Sequence, residues 1–163
     1  MVRSVLLLGD SLVEYGDWHE LLQGYLTVNR GIAGETVGEL AARLGWEIEE
    51  SAVSDHILIM SGTNNLLLGD RSFPAVFQTM LPRLKLLEPT ADISVIGMAS
   101  MHLPWIQDEL LESVNSELKE ITSQARCRFL DITPFFHLSQ NIKLLTIRFF
   151  NRNRDNGVVN IIL

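Results

Sequence analysis

The sequence predicts an α/β protein, a flavodoxin-like three-layer α/β/α sandwich around a five-stranded parallel sheet. Three observations carry that expectation. Five short apolar runs alternate with longer stretches whose apolar residues recur at helical spacing. Strands separated by helices imply βαβ crossovers, hence a parallel sheet covered on both faces, and the right-handedness of such crossovers leaves a doubly wound topology. Small and polar residues also cluster just after the runs, where ligands bind in open α/β sheets.

The elements follow in chain order. Val2 to Leu8 is an apolar run suited to a strand buried on both faces. Asp17 to Tyr25 predicts a short first helix, and Leu26 to Asn29 a second strand. From Thr36 to Glu50, residues Val37, Leu40, Ala41, Leu44 and Ile48 keep a helical period, with Thr36 placed to cap it. His56 to Met60 is the third strand. Ser72 is the expected cap of the next helix, with Pro74 in its first turn, where a missing N–H costs little. Its apolar face includes Phe73, Val76, Phe77, Met80, Leu84 and Leu87. Ile93 to Met98 is the fourth strand. Asp108 to Ala125 is a long helix that turns Leu110, Leu111, Val114, Leu118 and Ile121 inward, and Arg128 to Ile132 is the fifth strand.

At 163 residues the chain is long enough for one domain with a sizeable core. No apolar run approaches the roughly 18 residues needed to span a bilayer. The first run is too short for a signal sequence and lacks a small-residue cleavage site, so the expected location is cytoplasmic. A net charge of −7, with no basic stripe, argues against nucleic acid as a partner. The single cysteine, Cys127, excludes an internal disulfide and a cysteine-rich zinc site. Beside Phe129 and Leu130 it reads as a buried structural thiol. The carboxylates show no ligand spacing, so neither a metal nor a cofactor is expected. The charge is uneven: residues 1–136 carry nine Lys/Arg against nineteen Asp/Glu, and the last 27 carry four against one. The expected division is therefore an α/β domain over 1–136 and a divergent basic tail over 137–163.

Three segments stand where chemistry belongs. Gly9-Asp10-Ser11-Leu12 follows the first strand, Asn29-Arg30-Gly31-Ile32-Ala33-Gly34-Glu35-Thr36 surrounds the end of the second, and Ser61-Gly62-Thr63-Asn64-Asn65 follows the third. Singly, each is also an ordinary turn or loop sequence. Together and in this order they resemble the first three blocks of the SGNH (GDSL) hydrolases, a family of lipases, lysophospholipases and acyl-thioesterases. The resemblance runs through residues 2–132. It implies an ester or acyl substrate, Ser11 as nucleophile, and Gly34 and Asn64 beside it in an oxyanion hole. It makes Asp10 the residue that holds the turn by accepting loop N–H bonds.

The chemistry suits those residue types. A serine hydroxyl needs a base to take its proton, and attack on an acyl carbon creates an oxyanion that needs donors already aimed at it. The backbone N–H groups of Ser11 and Gly34 supply two, and the Asn64 carboxamide a third that does not titrate. Asp10, Leu12, Asn65, Leu103 and Trp105 are the expected border of the substrate pocket.

The resemblance fails at the fourth block, an Asp-x-x-His whose histidine deprotonates the serine. Aligned on Gly157, Asn156 stands at the aspartate and Val159 at the histidine, and the closing helix is missing. The change of charge near His137 fits an altered or prematurely ended reading frame better than natural divergence. Of the four histidines, His19 reads as a surface residue of the first helix and His56 as structural at the far end of the third strand. His102 and His137 follow strands four and five, and His102 is the expected substitute base. The alternatives are a catalytically impaired relative that binds without turnover, and a nucleotide or flavin binder. The second alternative is disfavoured because no phosphate cradle follows strand one. Loss of the closing helix also predicts an exposed apolar face and self-association through it.

Overall fold

The computed structural model describes residues 2–51, 54–99 and 106–133, and the backbone of strands within 144–162. Strands β1 (Arg3–Gly9), β2 (Tyr25–Gly31), β3 (His56–Met60), β4 (Asp92–Ile96) and β5 (Arg128–Leu130) form one parallel sheet in the order β2-β1-β3-β4-β5. This is the α/β architecture the sequence predicts. The order reverses at β1, with β2 on one side and β3 on the other. Gly9 pairs with Gly31 and with Met60, so these three strands end level with one another.

The two faces of the sheet are covered unequally. Helices α3 (Val37–Glu50), α5 (Pro74–Leu87) and α6 (Asp108–Gln124) pack on Leu6, Leu8, Ile57, Ile59, Ile93 and Val95. The alternate residues Val5, Leu7, Leu58, Met60 and Ile96 face the other way, against Val13 and Trp18 from two one-turn helices, α1 (Ser11–Glu14) and α2 (Trp18–Leu21), and against Leu22, which caps α2. A third short helix, α4 (Thr63–Leu67), follows β3.

Several expectations are corrected. The helix expected over 17–25 closes after Leu21, because Tyr25 onward pairs with β1 from Arg3. Ser72 does not cap α5: its hydroxyl and N–H both bond Asp70 Oδ1, at 2.7 and 2.8 Å, and the helix starts at Pro74 behind Phe73. Thr36 caps α3 as expected, in a reciprocal capping box with Glu39. The tail holds two strands, β6 (Leu144–Phe150) and β7 (Asn156–Ile162), which pair antiparallel as a separate sheet, and β7 runs beside α2. The second face is not left open: none of Val5, Leu7, Leu58, Met60, Ile96 and Ile132 exceeds 5% exposure.

Phe77 is fully buried between α5 and the sheet, edge-on to Phe73. Truncating it leaves a cavity as well as losing apolar burial. Phe77→Ala is expected to lower unfolding free energy by about 3–5 kcal/mol, read from a lower urea midpoint at unchanged slope.

Candidate active site

The site is built at the level ends of β2, β1 and β3. Gly9 has φ 156°, and a Cβ there would lie 2.0 Å from the Met60 carbonyl oxygen, so only glycine fits. From this point the chain turns. Asp10 N donates to Met60 O at 3.3 Å, and Ile32 N donates to Gly9 O at 2.9 Å, which ties the turn to both neighbouring strands. Asp10 caps α1 by accepting from Leu12 N at 3.0 Å. Ser11 is then the first residue of α1, half-buried on the rim.

Side chains hold this one-turn helix in place, since it is too short to be stable alone. Trp18 Nε1 donates to Val13 O at 2.6 Å. Asn29 Nδ2, reaching from β2, donates to Val13 O and Glu14 O at 2.9 and 3.1 Å. Glu14 Oε2 accepts from Ala33 N at 2.6 Å, so α1 and the loop after β2 are bonded to each other.

That loop carries Gly34 at φ +80°, a conformation L side chains rarely adopt, with no atom within 4 Å of where a Cβ would stand. The next residue, Glu35, is buried. Its carbonyl accepts from Asn64 Nδ2 at 2.9 Å, which fastens the loop after β3 to the loop after β2. Its carboxylate is gripped by Arg43, with Nε–Oε1 2.5 Å and Nη2–Oε2 2.8 Å. Arg43 also donates to Glu47 Oε1 at 2.6 Å and to Arg30 O at 2.8 Å. Burial opposes the guanidinium charge, but Glu35 and then Glu47 outweigh it and raise the Arg43 pKa.

The segments that carry Ser11, Gly34 and Asn64 are thus bonded to one another at the same end of the sheet. Leu12 is partly exposed beside Ser11. Asn65, expected at the substrate, is buried and bonded to its own scaffold: its Oδ1 accepts from Val37 N at 2.9 Å and its Nδ2 donates to Asp70 Oδ2 at 2.8 Å. Asp10 is likewise buried and occupied with its turn. His102, Leu103, Trp105 and His137 lie outside the described residues. His19 is exposed, while His56 opens β3 at the far end of the sheet, buried 3.9 Å from Asp92, with burial holding its pKa down. Burial likewise raises the Cys127 thiol pKa, in keeping with an inert residue. No role was anticipated for the side chains of Glu14, Asn29, Glu35, Arg43 and Glu47. The Arg43–Glu47 spacing of four was visible, yet such pairs usually mark a solvated helix face.

Burial also raises the Asp10 pKa above its ordinary 3.8, with the Leu12 N–H opposing and nearby Glu35 adding to the rise. The folded protein therefore holds this proton more tightly than the unfolded chain does. The contribution of Asp10 to stability falls as pH climbs from below 3.8 through the raised value. Asp10→Asn keeps an acceptor for Leu12 and removes the charge. It is expected to raise the urea midpoint at pH 7, with the advantage over the parent shrinking toward pH 3; an advantage independent of pH would contradict this account.

Comparison with known proteins bears on this rim. Among solved structures, the chain is similar to a Streptococcus pneumonia protein, with TM-score 0.72 and 21% identity over 86% of this chain and 70% of that one. It is also similar to a catalytic mutant of Axe2, an acetylxylan esterase from Geobacillus stearothermophilus, with TM-score 0.68 and 20% identity over 83% and 78% of the two chains. A third similar structure is TesA, with TM-score 0.66 and 20% identity over 78% and 77%. At these identities the likeness speaks for the fold alone. Comparison with curated proteins finds no match. The model of the GDSL-like Lipase/Acylhydrolase family matches residues 7–146, which takes in the loops of Ser11, Gly34 and Asn64 and most of the chain, and the protein belongs to that family.

Proposed function

We propose that the protein is a serine hydrolase that cleaves carboxylic ester or thioester bonds through an acyl-enzyme on Ser11. The Ser11 hydroxyl attacks the acyl carbon and passes its proton to a base. The resulting oxyanion is held by the Ser11 and Gly34 backbone N–H groups and by the Asn64 carboxamide. Collapse expels an alcohol or thiol, and water then releases the acid.

One observation carries this reading: the donors needed are spare and fixed. Among the described residues, neither Ser11 N–H nor Gly34 N–H has a hydrogen-bond partner. The bond to Glu35 O uses one N–H of the Asn64 carboxamide and leaves the other for an oxyanion. No helix among the described residues is long and apolar enough to cross a membrane, and small acyl substrates fit the family.

For the base we assign His102, six residues beyond the end of β4 and hence after a strand of the same sheet. A second reading competes for a specific reason. Asn156 and Val159, which align with the family's aspartate and histidine, stand in β7 and supply neither a carboxylate nor an imidazole. A protein with this rim but no base would bind acyl compounds without turnover.

Hydrolysis of p-nitrophenyl butyrate separates the two. Ser11→Ala is expected to abolish turnover and labelling by a fluorophosphonate probe, and Asn64→Ala to lower kcat on the order of 100- to 1,000-fold. His102→Ala is expected to lower kcat by about 100- to 10,000-fold. A folded parent protein that neither turns over nor takes the probe would select the binding reading.

A further inference from the structure

Resting on the hydrolase reading, we infer that Arg43 is a positioning residue for the oxyanion donors and acts through Glu35. Its single guanidinium grips the chain at both ends of the loop that carries Gly34. Nη2 donates to Arg30 O, one residue before β2 ends at Gly31, and Nε and Nη2 together hold the Glu35 carboxylate at the loop's end. The third nitrogen, Nη1, fixes the group to Glu47 one turn further along α3. Glu47 also lies 3.3 Å from Arg30 Nε, though not aligned as a hydrogen bond, so the neighbouring side chain joins the same cluster.

Between those two anchors lie Gly31, Ile32, Ala33 and Gly34, none of them in the buried core. Apolar packing therefore does little to set where the Gly34 N–H points. What sets it is hydrogen bonding: Ile32 N to Gly9 O, Ala33 N to Glu14, and the Arg43 grip on Glu35. Glu35 then passes its position on in two directions. Its own N–H closes the turn onto Ile32 O at 3.2 Å, and its carbonyl receives the Asn64 carboxamide. A shift of Glu35 moves both donors at once. Arginine is required because the contact is a planar fork that also reaches a carbonyl. Lysine brings the charge but cannot make the two parallel bonds and the carbonyl bond together.

The test is Arg43→Lys, with Arg83→Lys as a control on the exposed side of α5, where Arg83 donates to the Ala41 carbonyl at 3.3 Å. Two readouts are taken: steady-state hydrolysis of p-nitrophenyl butyrate, and the NMR signals of the Gly34 amide and the Asn64 side-chain amide. In Arg43→Lys, kcat is expected to fall on the order of 10- to 100-fold with KM changed less than about threefold. Both amide signals are expected to shift and to exchange with solvent faster than in the parent or in Arg83→Lys. A folded Arg43→Lys with the parent's kcat and unmoved amide signals overturns the inference and leaves the hydrolase reading standing. A parent protein with no turnover overturns the hydrolase reading instead, and the two amide signals still decide whether Arg43 fixes those groups. Should Arg43→Lys not fold, Glu35→Gln keeps the shape and removes the ion pair. It is expected to give the same kcat loss at constant KM, and its failure to do so counts against the inference equally.

Discussion

The structure turns on the end of β1. Gly9 sits between Gly31 and Met60, and the Met60 carbonyl comes so close to its Cα that no side chain fits between them. The strand before it is buried on both faces, with Val5, Leu6, Leu7 and Leu8 fully inaccessible, so it cannot slip: a one-residue shift exchanges the side chains that face α3 and α5 with those that face α2. With register fixed and the exit fixed, the residue two places beyond Gly9 emerges where the strand order reverses. In open parallel sheets that is where a crevice opens. The position of Ser11 is thus a consequence of packing well below it.

What surrounds Ser11 is held differently, by polar bonds rather than apolar contact. Asn29 and Trp18 close the carbonyls of α1, Glu14 crosses to Ala33, Asn64 crosses to Glu35, and Arg43 joins Glu35, Glu47 and Arg30. A buried ion-pair cluster of this kind is weak as a source of stability, because removing charges from water offsets most of their mutual attraction. Its stronger effect is on geometry. Breaking any one member leaves a buried charge without its partner, so loop arrangements that separate Arg43 from Glu35 are costly. An exposed glycine-containing loop thereby acquires one conformation without needing a core of its own.

This division explains what could be read from the sequence. The five strands and the three long helices were legible because burial writes a period into the residues: Val37, Leu40, Leu44 and Ile48 repeat as a helix facing a sheet must. The grouping of Ser11, Gly34 and Asn64 came from the family resemblance, and the level strand ends give a reason for their segments to adjoin. The one-turn helices α1 and α4 were not, since four or five residues carry no period. Ser72 and Asn65 were misread for a related reason. Both are polar residues at helix starts, and composition alone does not say whether such a side chain turns to its own helix, to Asp70 or to a ligand. The Arg43 cluster lay hidden because Glu35 and Glu47 look like ordinary surface acids until the loop folds over them. The C-terminal hairpin went unforeseen because its basic, asparagine-rich segment lacks the alternation that marks a strand.

The two parts of a serine hydrolase need not be encoded together, and on the proposed reading they are not encoded together here. On the proposed reading, everything that stabilises an oxyanion lies within residues 9–65, held by bonds among those same residues. Proton transfer depends on a separate stretch of chain. The energetic consequences of losing each part are unequal. In hydrolases stripped of a triad member, the oxyanion hole and substrate binding alone still accelerate the reaction about 1,000- to 10,000-fold over water. Donors fixed in advance require no reorganisation when charge develops, so their contribution survives the loss of the base. On the proposed reading, a chain that keeps the Gly9–Met60 packing, the Asn64–Glu35 tie and the Arg43 grip keeps the oxyanion-stabilising part of the catalyst. An imidazole supplied from any loop at the same rim would then have only a proton to carry.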